Sequence, residues 1–352
     1  MKGRSILLDT IAGRRVSVAL QDGQLDDLLI DPPEGAPAGP GAIARAVADR
    51  AMKGMGGVFV RLPDGVQGYL KGEKALPPGQ PLLVQVTGRA EAGKAVPVTR
   101  KLLFKSRHAI VTPGAPGLNV SRAIREEEER ARLRFLAEDG MEGAEGDAAM
   151  GLIVRSGAAA APEAEVLDDI AEMRTLAEAV TADTAGAPEW LTEAPDAHHL
   201  AWRDWGTPDE IDTTPGALDA RGVLDMLAAL ARPDVALPGG GFLSVEPTRA
   251  LVAVDVNTGR DSSPAAALKA NLAALRTLPR ALRVRGLGGQ IVLDLAPLSK
   301  KDRKQAEQVL KTALKADPVE TTFVGWTPLG HVELSRKRER WPLDPAFLEA
   351  VG

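Results

Sequence analysis

The residues best suited to chemistry lie at the end of one apolar run, LVAVDVNTGR (251–260), which carries Asp255 and Asn257 two positions apart. In an extended strand, residues i and i+2 share a face, so the carboxylate and the carboxamide point together. A second apolar run, GQIVLDL, ends in the same manner with Asp294. Two carboxylates and an amide oxygen are hard donors, suited to Mg2+, with Mn2+ also possible, and not to zinc. An ion held by so few protein groups keeps several waters. One can attack phosphorus while the ion neutralises phosphate charge. Basic residues that would supply phosphate contacts follow at 282–285 (LRVR), 299–304 (SKKDRK) and 335–340 (SRKRER, with Arg336 and Arg338). Each piece also has an ordinary use. An Asp at a strand end is commonly a turn former or helix cap, and Asp-Val-Asn-Thr-Gly reads as a turn. A run such as SRKRER is commonly a solvated basic patch. The residues alone leave a metal-dependent phosphodiesterase, a phosphatase and a DNA nuclease open.

The elements that must position these groups follow from the pattern. A strand over 251–257, a helix over 264–285, a strand over 289–295, a helix over 299–317 and a strand over 319–326 form an α/β unit with parallel pairing. Pro279 is expected to kink the first helix or end it early. Ligands of such sheets bind outside the carboxyl ends of the strands, which would bring Asp255 and Asp294 over one pocket. VALPGGGFLSVEP (235–247) before them reads as a hairpin across Gly-Gly-Gly.

Upstream, residues 4–31 alternate as an antiparallel hairpin unit with an Asp-Gly turn at 22–23. PPEGAPAGPG (32–41) is a linker, and the short strands within 42–90 suggest a small β-barrel. Phe59 and Tyr69 stand out there, in a chain with 3% aromatic residues and a single tyrosine. They either stack bases on the barrel surface or fill its core. MGLIVRSGA (150–158) is a buried strand ending in Arg155 and Ser156, and 166–180 is an amphipathic helix. Residues 183–220 have weak periodicity and read as loops and short elements.

The net charge of −5 does not advertise a nucleic-acid partner, but it conceals a gradient. Acidic residues crowd 126–148 and 163–211, while 269–340 is rich in Lys and Arg, and a polyanion meets the local field. The absence of cysteine excludes disulfides, thiolate zinc sites and cysteine nucleophiles. The N-terminal apolar run is broken by Asp9 and followed by Arg14 and Arg15, unlike a signal peptide, and no run is long enough to span a bilayer. A cytoplasmic protein with no membrane association is expected.

In order and spacing, ALVAVDVNTGR, KANLAALRTLPRALRVRGLGGQIVLDL and GWTPLGHVELSRKRER resemble the catalytic region of the ribonuclease E/G family. GGVFVRLPDGVQGYL looks like that family's S1 barrel segment, and MGLIVRSGA is similar to its Arg-Thr strand. The resemblance implies an α/β protein of several subdomains. A small S1-type barrel (36–92) would be inserted in an RNase H-like and 5′-sensor region (1–35, 93–182 and 183–234). A DNase I-like catalytic subdomain (235–352) would follow. It implies a Mg2+-dependent endoribonuclease acting on single-stranded RNA, preferably 5′-monophosphorylated, in RNA processing or decay, with cleavage leaving a 3′-hydroxyl and a 5′-phosphate. Asp255 and Asp294 fall on the family's metal-binding aspartates and Asn257 on the asparagine that supports the attacking water or the metal. Arg155 and Ser156 fall on the pair that binds the 5′-phosphate, Phe59 and Tyr69 on barrel aromatics that stack RNA, and Lys94 on a family lysine. Arg336 and Arg338 lie in the basic motif and are expected to contact RNA.

The departures point the other way. Pro297 stands where the family has a second Asp, Arg249 where it has a Glu, and the cysteines of its zinc link are absent. Zinc is not expected, and any homodimer would not be zinc-linked. The alternative is an RNA-binding protein of the same fold with weak or no cleavage.

Overall fold

The computed structural model describes residues 3–49, 56–73, 76–91, 93–143, 149–261 and 263–352. They form two compact units, one of Met1–Pro33 with Pro208–Gly352 and one of Glu34–Thr207. The chain opens with an antiparallel meander of β1 (Arg4–Ile11), β2 (Arg14–Gln21) and β3 (Gln24–Ile30). Its two-residue turns, Ala12-Gly13 and Asp22-Gly23, have positive φ at both positions. That is the type I′ geometry which matches the twist of adjoining strands, and it bears out the hairpin reading.

The Glu34–Thr207 unit begins with β4 (Ile43–Ala48), β5 (Gly57–Arg61), β6 (Gln67–Lys71), β7 (Pro81–Val86) and β8 (Val96–Thr99). They pair in the order β4-β5-β6-β8-β7, and β7 pairs back to β4, so the barrel closes with five strands. The closing strand β8 lies beyond residue 92, the limit expected from sequence. Alanine, valine and leucine fill the interior, among them Ala44, Ala46, Val60, Leu70, Val84 and Val98. The closed architecture is the one expected of an S1-type module. A second sheet contains β9 (Phe104–Lys105), β10 (Ala109–Pro113), β11 (Gly117–Val120) and, after α1 (Glu127–Gly140), β12 (Met150–Val154), in the order β11-β12-β10-β9. Leu133 and Leu136 of α1 and Val166 and Ile170 of α2 (Glu163–Ala182) pack with Val111, Leu152 and Val154. β13 (Glu189–Thr192) adds to the barrel at β4, and α3 (Ala197–Asp204) ends the unit.

The first unit resumes at β14 (Glu210–Asp212), which pairs in parallel with β1. From the segment expected to complete a subdomain with 1–31, this strand joins the meander, and Ala217 and Leu218 pack into its core beside Leu7 and Val18. Helices α4 (Ala217–Ala220) and α5 (Val223–Ala228) come next. The remainder comprises β15 (Asp234–Ala236), β16 (Phe242–Pro247), β17 (Val252–Asn257), α6 (Pro264–Arg283), β18 (Gly289–Asp294), α7 (Lys300–Ala316), β19 (Thr321–Trp326), β20 (Val332–Arg336) and α8 (Pro345–Val351). Of the two outcomes expected at Pro279, an early end does not occur, since α6 continues to Arg283. The expected parallel pairing is corrected. The sheet order is β15-β16-β17-β18-β20-β19, so β20 intervenes between β18 and β19, and β17 with β18 is the one parallel pair among these six strands. Leu275, Leu278 and Leu282 of α6 and Ala306, Leu310 and Leu314 of α7 bury one face of the sheet against Val254, Leu293 and Leu334. Among the described residues, no helix is long and apolar enough to cross a membrane.

Candidate active site

Because the helices take one face of the six-stranded sheet, alternation sends the polar residues to the other. Val252, Val254 and Val256 are buried, and Ala253, Asp255 and Asn257 between them are exposed. In β18 the same alternation leaves Asp294 exposed, with 66% of its side chain open. The parallel register sets Asp255 directly opposite Asp294. Neighbouring strands lie about 4.8 Å apart, so the two carboxylates project side by side. Ser244 is the partner of Asp255 on its other side, and its hydroxyl donates to Glu246 at 3.3 Å.

The backbone around this pair is tightly built. Asn257 Oδ1 accepts a long 3.4 Å bond from the Gly259 N–H, closing the Thr-Gly turn. Gly259 has φ +75, and a Cβ there would sit 2.5 Å from the Gly240 carbonyl oxygen, which accounts for glycine at 259; at 240 the φ of +91 does so. Beyond Asp294 the chain is held by Asn271 of α6, which is fully buried. Its Nδ2 donates to the Ala296 carbonyl at 2.8 Å, and its Oδ1 accepts from the Ala296 N–H at 3.0 Å. His331, in the turn before β20, brings Nε2 to 3.7 Å from Asp294 Oδ1. Neither Asn271 nor His331 was singled out from sequence. Asn271 carried a usable signal, a carboxamide between Ala267 and Ala274 on the apolar face of a helix, whereas the partner of His331 depends on tertiary pairing. Arg249, one of the departures, is exposed in the turn before β17, at the end of the strand away from Asp255. Pro297 is in the loop that directly follows Asp294.

The donor set suits an ion that retains much of its water. Among the described residues no three His, Cys, Asp or Glu side chains converge as a metal-binding group. Two adjacent exposed carboxylates with an amide nearby meet the modest demand of Mg2+ and not the closed four-ligand shell of structural zinc.

The basic residues fall into two classes. Arg336 is 3% exposed, with its guanidinium 3.0 Å from Asp317 Oδ1 and 2.8 Å from Thr321 Oγ1. Arg283 is also buried and bonds the other oxygen of Asp317, and Arg285 is buried against the Ala281 and Arg232 carbonyls. The expectation that Arg336 contacts RNA, and that 282–285 supplies phosphate ligands, is therefore corrected: strand alternation turns Leu334 and Arg336 inward. Arg338 is half-buried and lies against Gly289, whose φ of +98 and lack of a side chain admit it. Lys300, Lys301 and Lys304 at the start of α7 are exposed.

In the other unit, β5 and β6 send Val58, Val60 and Leu70 into the barrel and hold Phe59 and Tyr69 on its outside as a directly opposed pair. The two rings are half-buried, with centroids 5.3 Å apart and planes inclined at 53°. Arg61, Gln67 and Lys71 share that outer face. The choice between core and surface is thus settled for the surface. Lys94 is exposed and pairs with Glu91 at 2.9 Å. Arg155 follows β12 with its guanidinium already engaged: it donates to the Ser106 and Arg203 carbonyls and lies 2.6 Å from Asp204 Oδ1. Burial would raise the Asp204 carboxyl, but Arg203 and then Arg155 outweigh it and hold the group below the usual aspartate range. Ser156 is exposed at the start of a single 3-10 turn.

Fold and site together define an α/β protein that joins a carboxylate-bearing sheet to a closed barrel with an external aromatic pair. Residues 104–214 and 210–339 match the model of the ribonuclease E/G family. The chain is 31% identical to ribonuclease E of a Nostoc species, over 75% of this chain and 44% of that protein. It is 28% identical to ribonuclease G of Escherichia coli, over 74% of this chain and 60% of that one. The chain belongs to the ribonuclease E/G family. It spans less than two thirds of the length of these relatives.

Proposed function

We propose that this chain is a Mg2+-dependent endoribonuclease that cleaves single-stranded RNA internally, in RNA processing or decay. The observation that carries the reading is the register that sets Asp255 beside Asp294 on the uncovered face of the sheet. Asp255 and Asp294 would hold Mg2+, which when bound would supply an activated water and neutralise charge at the scissile phosphate. The chain's own residues have the remaining tasks. Asn257 would orient the attacking water beside the two aspartates, and Asn271 fixes the loop that leaves Asp294. In-line attack at phosphorus breaks the bond to the 3′-oxygen, giving a 3′-hydroxyl and a 5′-phosphate. Phe59 and Tyr69 stack bases of the bound strand, Lys94 and Arg338 contact its backbone, and Arg155 with Ser156 reads a 5′-monophosphate. A cytoplasmic site of action, and a homodimer that owes nothing to zinc, go with this reading.

A second reading, an RNA-binding protein that cleaves weakly or not at all, is favoured by Pro297, since the loop after Asp294 lacks the carboxylate that the family pattern places there. One experiment separates the two. A single-stranded RNA with a 5′-monophosphate is incubated with Mg2+ and the wild type or the Asp255→Asn/Asp294→Asn protein. Internal cleavage by the wild type alone supports the nuclease. Binding without cleavage by the wild type sinks it in favour of the second reading.

A further inference from the structure

Helix α7 carries six basic and two acidic residues in 17 positions, on a chain whose net charge is −5. Ala306, Leu310 and Leu314 face the sheet, which leaves Lys304, Lys311 and Lys315 along the outside. These three lysines border a groove of about 550 Å³, and a second groove of about 510 Å³ continues from Lys311 and Lys315 to Phe323 on β19. Strand β19 is the edge of the six-stranded sheet, and it presents two half-buried aromatic rings to the helix. Lys311 Nζ lies 4.8 Å from the centroid of Phe323, and the Arg303 guanidinium lies 5.0 Å from that of Trp326. Lys304 and Lys315 form no ion pair with a described residue, whereas Lys311 is 2.6 Å from Glu307.

We propose that the α7–β19 surface is a second contact for single-stranded RNA, with phosphates on Lys304, Lys311 and Lys315 and a base against Phe323. This rests on the reading of the chain as an RNA-acting protein and extends it beyond the paired aspartates. Cations alternating with aromatic rings are what a single strand needs, because phosphates take the charge and every base has a face to stack. An acidic peptide is the competing occupant, and the obvious way to seat one is as an added strand along β19. That edge is poorly made for it: the register with β20 shifts between Phe323 and Gly325, and Gly325 has φ +155. Such a bulge breaks the ladder an added strand would follow.

The test uses the Asp255→Asn/Asp294→Asn protein as parent, so that binding is read without cleavage, and a fluorescent single-stranded RNA of about 30 nucleotides, long enough to span more than one contact. In the parent, Lys304→Ala/Lys311→Ala/Lys315→Ala is expected to weaken binding roughly tenfold and to lower the salt slope by about 2, the value for three phosphate contacts on a single strand. Phe323→Leu is expected to weaken binding about threefold or more with the slope unchanged, as loss of one stacked base should. A control, Lys101→Ala/Arg125→Ala/Arg134→Ala, removes equal charge from the other unit. An unchanged slope in the triple lysine variant, or an equal fall in the control, overturns the proposal. So does an acidic peptide that binds the parent but not the triple variant while RNA binding is unaffected. If the wild type cleaves RNA and the α7 variants bind normally, only this inference fails. If binding depends on α7 and the wild type does not cleave, the contact stands and the nuclease does not.

Discussion

Two charged regions of this protein differ in what their side chains are already doing. On the open face of the sheet, Asp255 makes no side-chain bond to a described residue, and Asp294 has only His331 at 3.7 Å. At the end of β12, the Arg155 guanidinium is spent on two carbonyls and on Asp204. A ligand reaches the first region by displacing water. It reaches the second only in exchange for an internal partner. Side chains that the family pattern treats alike, as binding groups, thus stand at different starting points.

Asp317 is the extreme of the partnered kind and offers the largest contrast. Its side chain is 1% exposed and joins Arg283 and Arg336, both buried. Asp317→Ala should cost about 3–5 kcal/mol of stability, because the buried Arg336 guanidinium loses its counter-charge out of water, while Arg283 keeps Asp26 and Asp27. Urea denaturation measures this, and a loss below 1 kcal/mol would mean the network is not formed. Asp255→Asn and Asp294→Asn should show the reverse pattern. As exposed substitutions they are expected to shift stability by no more than about 0.5 kcal/mol. Cleavage should fall on the order of a hundredfold or more, the scale for removing one pre-organised electrostatic group. Equal losses of stability in all three variants would erase the distinction between the regions.

These contrasts also show what was legible in the sequence. Strand alternation in VAVDVN and VLD was enough to put Asp255, Asn257 and Asp294 on one surface, since a six-residue strand with buried valines leaves no other arrangement. The same arithmetic applied to VELSRKRER turns Arg336 inward once Leu334 is buried. Read as a string of charges, that motif conceals the point, because the partner, Asp317, lies before β19 and becomes a neighbour only when β20 inserts between β18 and β19. Phe59 and Tyr69 were ambiguous for a related reason: in a barrel both faces of a strand can be apolar, and only closure by β8 decides which side the valines fill. Arg155 could be singled out from its place at the end of MGLIVRSGA, whereas its capture by Asp204, 49 residues away, could not. Long-range pairing of this kind leaves no local signature.

Asn271 tests whether the open carboxylate depends on a closed support. Asn271→Leu keeps the branched shape and removes both bonds to Ala296, so a half-buried N–H and C=O lose their partners at a cost of up to about 3 kcal/mol. If the loop then releases Asp294 from its place beside Asp255, cleavage should fall roughly tenfold beyond any effect of unfolding, since small displacements of a positioned group are costly. Mg2+ titration of the folded variant is the discriminating measurement. A higher Mg2+ requirement would tie Asn271 to the site, and an unchanged one would confine it to stability.

The smallest effect is expected at Arg155, and it bears most directly on the comparison. Arg203 and Arg155 hold the Asp204 carboxyl below its ordinary range. A depressed carboxylate keeps its stabilising charge at every pH above the unfolded value of about 3.9, and loses it only as pH falls through the lower, folded value. Neutral or mildly acidic conditions therefore leave the guanidinium occupied, and a 5′-phosphate has to compete with a tethered anion. Asp204→Asn removes the competing charge and preserves the shape. The preference for 5′-monophosphate over 5′-hydroxyl RNA should then rise roughly two- to fivefold, the worth of a partly exposed ion pair. Arg155→Ala should abolish the preference in either background. A preference unaffected by Asp204→Asn but lost in Arg155→Ala would show that phosphate and carboxylate use different edges of the guanidinium. A preference unaffected by both would remove Arg155 from 5′-end recognition, leaving its bond to Asp204 as a link between β12 and α3.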